Sequence, residues 1–180
     1  MHRRFALILF WADLHICGER KNIILLLFNF IGQFQKDAKQ DHCDPCHLGE
    51  YGNEIAATRC YICDKGYFTN VTGMRFCYPC ERGKYGISIR ASECLNCHAG
   101  TASNKIAFVP GIEETCPHCI AGYFSANIGE TACTACVPGR FNHNKGNQHC
   151  TPCAAGHASD RIAFNGTSCE PCLAGAGNVS

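Results

Sequence analysis

The sequence predicts an elongated tandem array of small disulfide-rich repeats. The units are short β-hairpins with little regular secondary structure, preceded by a helical N-terminal leader. Three observations carry this expectation. The 180 residues include 17 cysteines, a density that belongs to a disulfide scaffold rather than an ordinary apolar core. From Cys43 onward the cysteines occur only as C-x-x-C pairs at a nearly constant step. A glycine stands three residues after the second cysteine of every pair, which marks a backbone turn that a side chain would obstruct.

The first forty residues differ from the rest. They hold six Lys/Arg and three Asp/Glu, whereas the remainder holds ten and twelve. "MHRR" is basic, "FALILFW" is apolar up to Asp13, "GERK" is charged, and Asn22–Gly32 is apolar again. Neither apolar run reaches the ~18 residues that span a bilayer. A basic start followed by an apolar stretch of about 7–15 residues reads as a secretory signal. "RKNIILLLFNFIG" is its better core, with the residues before it as an extra leader, and Ala38 is the nearest candidate for cleavage. The bland reading, one or two buried apolar helices, fails because the rest of the chain has too little apolar content to bury them. Residues 1–40 are therefore expected to be a signal, leader or N-terminal anchor, and residues 41–180 about eight tandem repeats.

The pairs are Cys43/Cys46, Cys60/Cys63, Cys77/Cys80, Cys94/Cys97, Cys116/Cys119, Cys133/Cys136, Cys150/Cys153 and Cys169/Cys172, at steps of 17, 17, 17, 22, 17, 17 and 19 residues. Such regularity means an internal repeat. The turn glycines are Gly49, Gly66, Gly83, Gly100, Gly122, Gly139, Gly156 and Gly175. Two residues after them stand Tyr51, Phe68, Tyr85, Phe124 and Phe141, while Ala102 and Ala158 replace the aromatic in two units. Those two units are the long ones, beginning at Cys94 and Cys150, and each has a phenylalanine six residues later, Phe108 and Phe164. Each unit is thus expected to bury about one aromatic, and a three-unit block is expected to have duplicated. A second glycine, Gly73, Gly111, Gly129, Gly146 or Gly166, often precedes the next pair. A unit then reads pair, turn, short strand, turn, short strand, next pair.

One such unit cannot fold alone. Its few apolar groups do not offset a backbone ordering cost of about 1 kcal/mol or more per residue. A disulfide closing a loop of this length contributes roughly 3 kcal/mol through the unfolded state. The sixteen cysteines of the repeat region are even in number, and Cys17 is expected to leave with the leader, so all sixteen are expected in disulfides. A bond within one C-x-x-C is tight. Bonds between neighbouring pairs are favoured, with three connectivities open for any four cysteines. Three glycosylation sequons fit a secretory chain: Asn70-Val71-Thr72, Asn165-Gly166-Thr167 and Asn178-Val179-Ser180. The bland alternative is that such short sequons arise by chance.

Zinc is the rival chemistry. Two knuckles 13 residues apart could hold an ion tetrahedrally, and His118, His42, His47, His98 or His149 could replace a thiolate. The leader argues against it, because zinc knuckles belong mainly to reducing compartments. Zinc is kept as the minority alternative and no cofactor is expected. The haem-attachment signature C-x-x-C-H occurs at Cys43–His47 and Cys94–His98, and the other six pairs lack the histidine. A thioredoxin-like dithiol needs one such pair opening a helix, and a cysteine nucleophile needs a unique cysteine. No paired carboxylates, phosphate loop or Ser-His-Asp pattern stands out. The chain is not expected to be an enzyme. No basic stripe suggests nucleic acid.

The pattern C-x-x-C-x-x-G-x-[YF], followed by G-x-x-x-C-x-x-C, resembles the cysteine-rich repeats of growth-factor-receptor and ephrin-receptor-like modules. It is closer still to the ciliate immobilization antigens, whose stretches of the type AFVPG…TCxxC are matched by "AFVPGIEETCPHC" (Ala107–Cys119) and more loosely by "AFNGTSCEPC" (Ala163–Cys172). The resemblance covers residues 43–175. It implies a non-enzymatic, structural and antigenic surface coat or secreted glycoprotein, with protein or carbohydrate partners at the cell surface. It also implies a C-terminal lipid anchor, but "CLAGAGNVS" supplies no apolar tail for one. The membrane is therefore expected to be reached only through the N-terminal segment or a missing C-terminal anchor. The alternatives are a ligand-binding ectodomain fragment of a receptor, and the zinc-binding protein.

Overall fold

The structure, a computed structural model, describes residues 31–37, 42–55, 57–111 and 115–173. Of the expected leader, residues 1–40, only 31–37 are described, and Cys17, Ala38, Gly175 and Asn178 lie outside the described residues.

Fourteen two-residue strands pair into seven antiparallel hairpins, with no helix among the described residues. Strand β1 (Gln33–Phe34) pairs with β2 (Asp44–Pro45), β3 (Glu50–Tyr51) with β4 (Tyr61–Ile62), and β5 (Tyr67–Phe68) with β6 (Tyr78–Pro79). Further along, β7 (Lys84–Tyr85) pairs with β8 (Leu95–Asn96), β9 (Tyr123–Phe124) with β10 (Thr134–Ala135), β11 (Arg140–Phe141) with β12 (Thr151–Pro152), and β13 (His157–Ala158) with β14 (Glu170–Pro171). Between β8 and β9 a single antiparallel bridge, Thr101 to His118, occupies the same place in the repeat. Counting it, eight hairpins follow one another, opening at Gly32, Gly49, Gly66, Gly83, Gly100, Gly122, Gly139 and Gly156.

The first strand of each hairpin is the two residues after the turn glycine, as the sequence implies. The second strand is not a separate segment ahead of the next pair; it is the two residues inside the next C-x-x-C. Successive side chains on a strand point to opposite faces, so cysteines at i and i+3, flanking those two residues, face opposite ways. One looks back along the array and the other forward, which disfavours a bond within the pair.

The turn is equally local. In hairpin 2 the Glu50 amide donates to the His47 carbonyl at 3.0 Å, with Gly49 at φ +74° between them. A positive φ at the third position defines a type II turn and selects glycine there. The same bond recurs from Tyr67 to Asp64, Lys84 to Glu81, Tyr123 to Ile120 and Arg140 to Val137.

Hairpin 1 begins inside the segment expected to be leader. Gly32-Gln33-Phe34 repeats the G-x-aromatic pattern without a cysteine pair before it, and the Cys46 amide donates to the Gly32 carbonyl at 2.9 Å.

Burial runs through sulfur. Cys46, Cys63, Cys80, Cys97, Cys116, Cys119 and Cys136 are almost wholly buried, and Tyr85 is the one large apolar side chain buried among the described residues. Tyr85 packs with Cys97 and Cys116, with Ile87 and Phe108 against them. One buried aromatic per unit is thus reached only at hairpin 4. Tyr51 and Phe68 are half-buried against cross-strand Tyr61 and Tyr78, with ring centroids 5.7 and 6.3 Å apart. Phe108 serves hairpin 4 rather than its own unit. A two-strand hairpin has no second layer to cover its rings, so the disulfides take over that work.

Candidate functional site

The repeating feature of this molecule is the joint between hairpins. Seven disulfides follow one rule: the second cysteine of a pair bonds the first cysteine of the next. The bridges are Cys46–Cys60, Cys63–Cys77, Cys80–Cys94, Cys97–Cys116, Cys119–Cys133, Cys136–Cys150 and Cys153–Cys169. Five span 14 residues, and the two long units span 19 and 16. Each bridge joins the end of one hairpin to the second strand of the next. Cys43 is also disulfide-bonded. Cys172 departs from the expectation of sixteen bridged cysteines, for its thiol is free and exposed. It is the second cysteine of its pair. Its amide nevertheless donates to Gly156 at 2.8 Å, as the amides of the other second cysteines donate to their turn glycines.

The turn glycines carry the stacking. Each donates its amide to a carbonyl of the next hairpin: Gly49 to Thr69, Gly66 to Gly86, Gly83 to Ser103, Gly100 to Ser125, Gly122 to Asn142 and Gly139 to Ser159, at 2.7–3.1 Å. A second series skips one hairpin. The amides of Gly73, Arg90, Ala107, Gly129, Gly146 and Ala163 donate to the carbonyls of Cys46, Cys63, Cys80, Cys97, Cys119 and Cys136 at 2.7–2.8 Å. This brings the loop of one hairpin onto the turn of the hairpin two before it. A Cβ at Gly122, at φ +85°, would lie 2.2 Å from the Ala163 carbonyl oxygen. At Gly139, at φ +79°, a Cβ would meet nothing within 4 Å among the described residues.

Two parts of the joint escaped the sequence reading. The residue after the aromatic position is always small or polar: Gly52, Thr69, Gly86, Ser103, Ser125, Asn142 and Ser159. All but Ser159 are buried. The Thr69 hydroxyl accepts from the Gly49 amide at 2.7 Å and donates to the Glu50 carbonyl at 3.3 Å. The Asn142 side chain donates to the Tyr123 carbonyl at 2.8 Å, and its oxygen accepts from the Asn144 amide and from Asn147. A Cβ at Gly86 would come within 2.8 Å of the Gly66 amide nitrogen. The position touches the preceding turn, so only a small group or one that hydrogen-bonds the turn fits. The G-x-[YF]-[GTSN] pattern was the available signal.

The second part is the loop residue. Gly73, Gly129 and Gly146 have φ of +75 to +76°, and their counterparts Arg90, Ala107 and Ala163 have φ of +55, +52 and +56°. Gly111 and Gly166, expected to make this turn in the long units, do not; Ala107 and Ala163 stand in their place. Arg90 also reaches back two hairpins to Glu50 at 2.7 Å.

Among the described residues no three of His, Cys, Asp and Glu gather to hold a metal ion. Fourteen of the sulfurs that zinc knuckles would need are bonded to one another in the seven bridges. In the haem-like stretches, Cys94 and Cys97 are engaged with Cys80 and Cys116. The sequon residues Asn70 and Asn165 are both exposed.

No family model matches the chain, and no curated protein does. The array of disulfide-bonded hairpins that the cysteine and glycine spacing predicts is present.

Proposed function

We propose that this chain is a non-enzymatic extracellular structural protein, a surface-coat or secreted component of the kind the ciliate immobilization antigens represent. The serial disulfide pairing carries the reading. Disulfides at this density form and persist in oxidising compartments, and here they occupy the positions an apolar core would fill. The joints are made of backbone, sulfur and small side chains, so many sequences can occupy the exposed faces without disturbing the stack. That suits a coat whose outer surface varies.

A second reading, a ligand-binding ectodomain, is favoured by one observation. Ile55, Ile89, Ile106, Ile128 and Ile162 recur six residues after their turn glycines and are 41–71% exposed. Repeated exposed isoleucine is the kind of apolar surface that marks interaction sites.

The test is to express the full chain with a C-terminal epitope in a eukaryotic cell. We expect the epitope in the medium or on intact cells, with the protein shifting on gels only after reduction. Retention in the cytosol with reduced thiols would overturn the extracellular reading. A hydrolase or transferase activity that depended on one side chain would overturn the non-enzymatic one.

A further inference from the structure

We propose that the open cleft of about 600 Å³ bounded by hairpins 2 to 4 is the seat of an N-linked glycan on Asn70, with its first N-acetylglucosamine lying on the Phe68 ring. The inference rests on the secretory reading above.

The sequon Asn70-Val71-Thr72 follows directly on β5, and Asn70 and Thr72 are both exposed. Phe68 and Asn70 are two residues apart at the end of a strand, and alternation puts them on one side. Thr69 between them is fully buried toward the preceding turn, so its two neighbours face away from the joint. Both line the cleft. Phe68 is half-buried, with Tyr78 at 6.3 Å between ring centroids.

The cleft has the chemistry that a sugar requires. A pyranose offers a face of C–H groups, and an aromatic ring offers a negative face to receive them. Its hydroxyl and acetamido groups need donors and acceptors, which Ser92, Glu93, Asn96 and the Glu81–Lys84 pair provide around the rim. A glycan seated there would touch the Leu48 turn of hairpin 2, β5 of hairpin 3 and β7 and β8 of hairpin 4. It would strap three hairpins together and cover the ring. Asn165 offers no equivalent: its neighbour Phe164 lies beneath the Arg161 guanidinium, 5.9 Å from the ring centroid.

The experiment uses the full chain secreted from a eukaryotic host, with every N-glycan trimmed enzymatically to one N-acetylglucosamine. Glycopeptide mass spectrometry reads occupancy, and NMR reads the acetyl and ring protons of each sugar. We expect Asn70 to be occupied, with its sugar protons shifted upfield by the Phe68 ring. In Phe68→Leu the shift should vanish while occupancy stays. Asn70→Gln should lower Tm in the wild-type background and leave it unchanged in Phe68→Leu. Asn70 sugar protons matching those of a free glycoside, or a shift surviving Phe68→Leu, would overturn the proposal. So would an unmodified Asn70 in a protein whose disulfides have formed, and that outcome leaves the extracellular reading standing. An unmodified chain with reduced cysteines would overturn both.

Discussion

Gly122→Ala and Gly139→Ala separate two costs that usually come together. Both glycines sit at nearly the same positive φ, +85° and +79°. Alanine in that region costs about 1–2 kcal/mol, and this is all Gly139→Ala should lose. At Gly122 the added methyl would lie 2.2 Å from the Ala163 carbonyl oxygen and 2.8 Å from its carbon. Hairpin 8 must retreat by more than an ångström to restore ordinary contact. The retreat breaks or stretches the bonds from Ala163 to Cys136 and from Asn142 to the Phe164 carbonyl, 2.8 and 3.1 Å long, each worth roughly 1 kcal/mol net. Gly122→Ala should therefore cost ~3–4 kcal/mol. Denaturant unfolding of the oxidised proteins gives the totals, and native-state hydrogen exchange localises the loss. Protection at the Ala163 and Asn142 amides should collapse in Gly122→Ala and survive in Gly139→Ala. Equal destabilisation, or unchanged protection at Ala163, would refute the claim that the turn glycines serve to seat the hairpin two places on.

Other consequences of the joint can be checked in the same way. Thr69→Val keeps the side-chain shape and removes both hydroxyl hydrogen bonds, so it should lower stability by about 1–3 kcal/mol, while Thr69→Ser should recover most of that in a denaturant midpoint. Ala163→Gly relieves a positive φ at the cost of chain entropy, and should be neutral or stabilising by up to ~1 kcal/mol. Brief alkylation of the unreduced native protein should label Cys172 and leave the fourteen cysteines of the seven bridges untouched, with no change in Tm. Label at any of the fourteen would show that its bridge is open in solution.

What could be read from the sequence was whatever geometry forces into a fixed residue type. Cysteine spacing gave the period, because only cysteine makes the staple. The glycine three residues on gave the turn, because a type II turn selects glycine. The first strands and the pairing between neighbouring pairs followed. Features set by packing between units were harder to see. The buried position after the aromatic accepts Gly, Thr, Ser or Asn, so no single residue type announces it at Thr69 or Asn142. Arg90, Ala107 and Ala163 adopt the left-handed conformation although they are not glycine, while the nearby Gly111 and Gly166 do not. At Gly32-Gln33-Phe34 the G-x-aromatic pattern stands without a preceding cysteine pair, so the cysteine period does not announce that hairpin. The aromatics were assigned a core role that two-strand hairpins cannot complete.

The most direct test of the account is disulfide mapping of the secreted, unreduced protein by proteolysis at low pH and mass spectrometry. The account predicts cross-linked peptides joining Cys46 to Cys60, Cys63 to Cys77, Cys80 to Cys94, Cys97 to Cys116, Cys119 to Cys133, Cys136 to Cys150 and Cys153 to Cys169. Bridges within single C-x-x-C pairs, or free thiols accompanied by stoichiometric zinc, would contradict it.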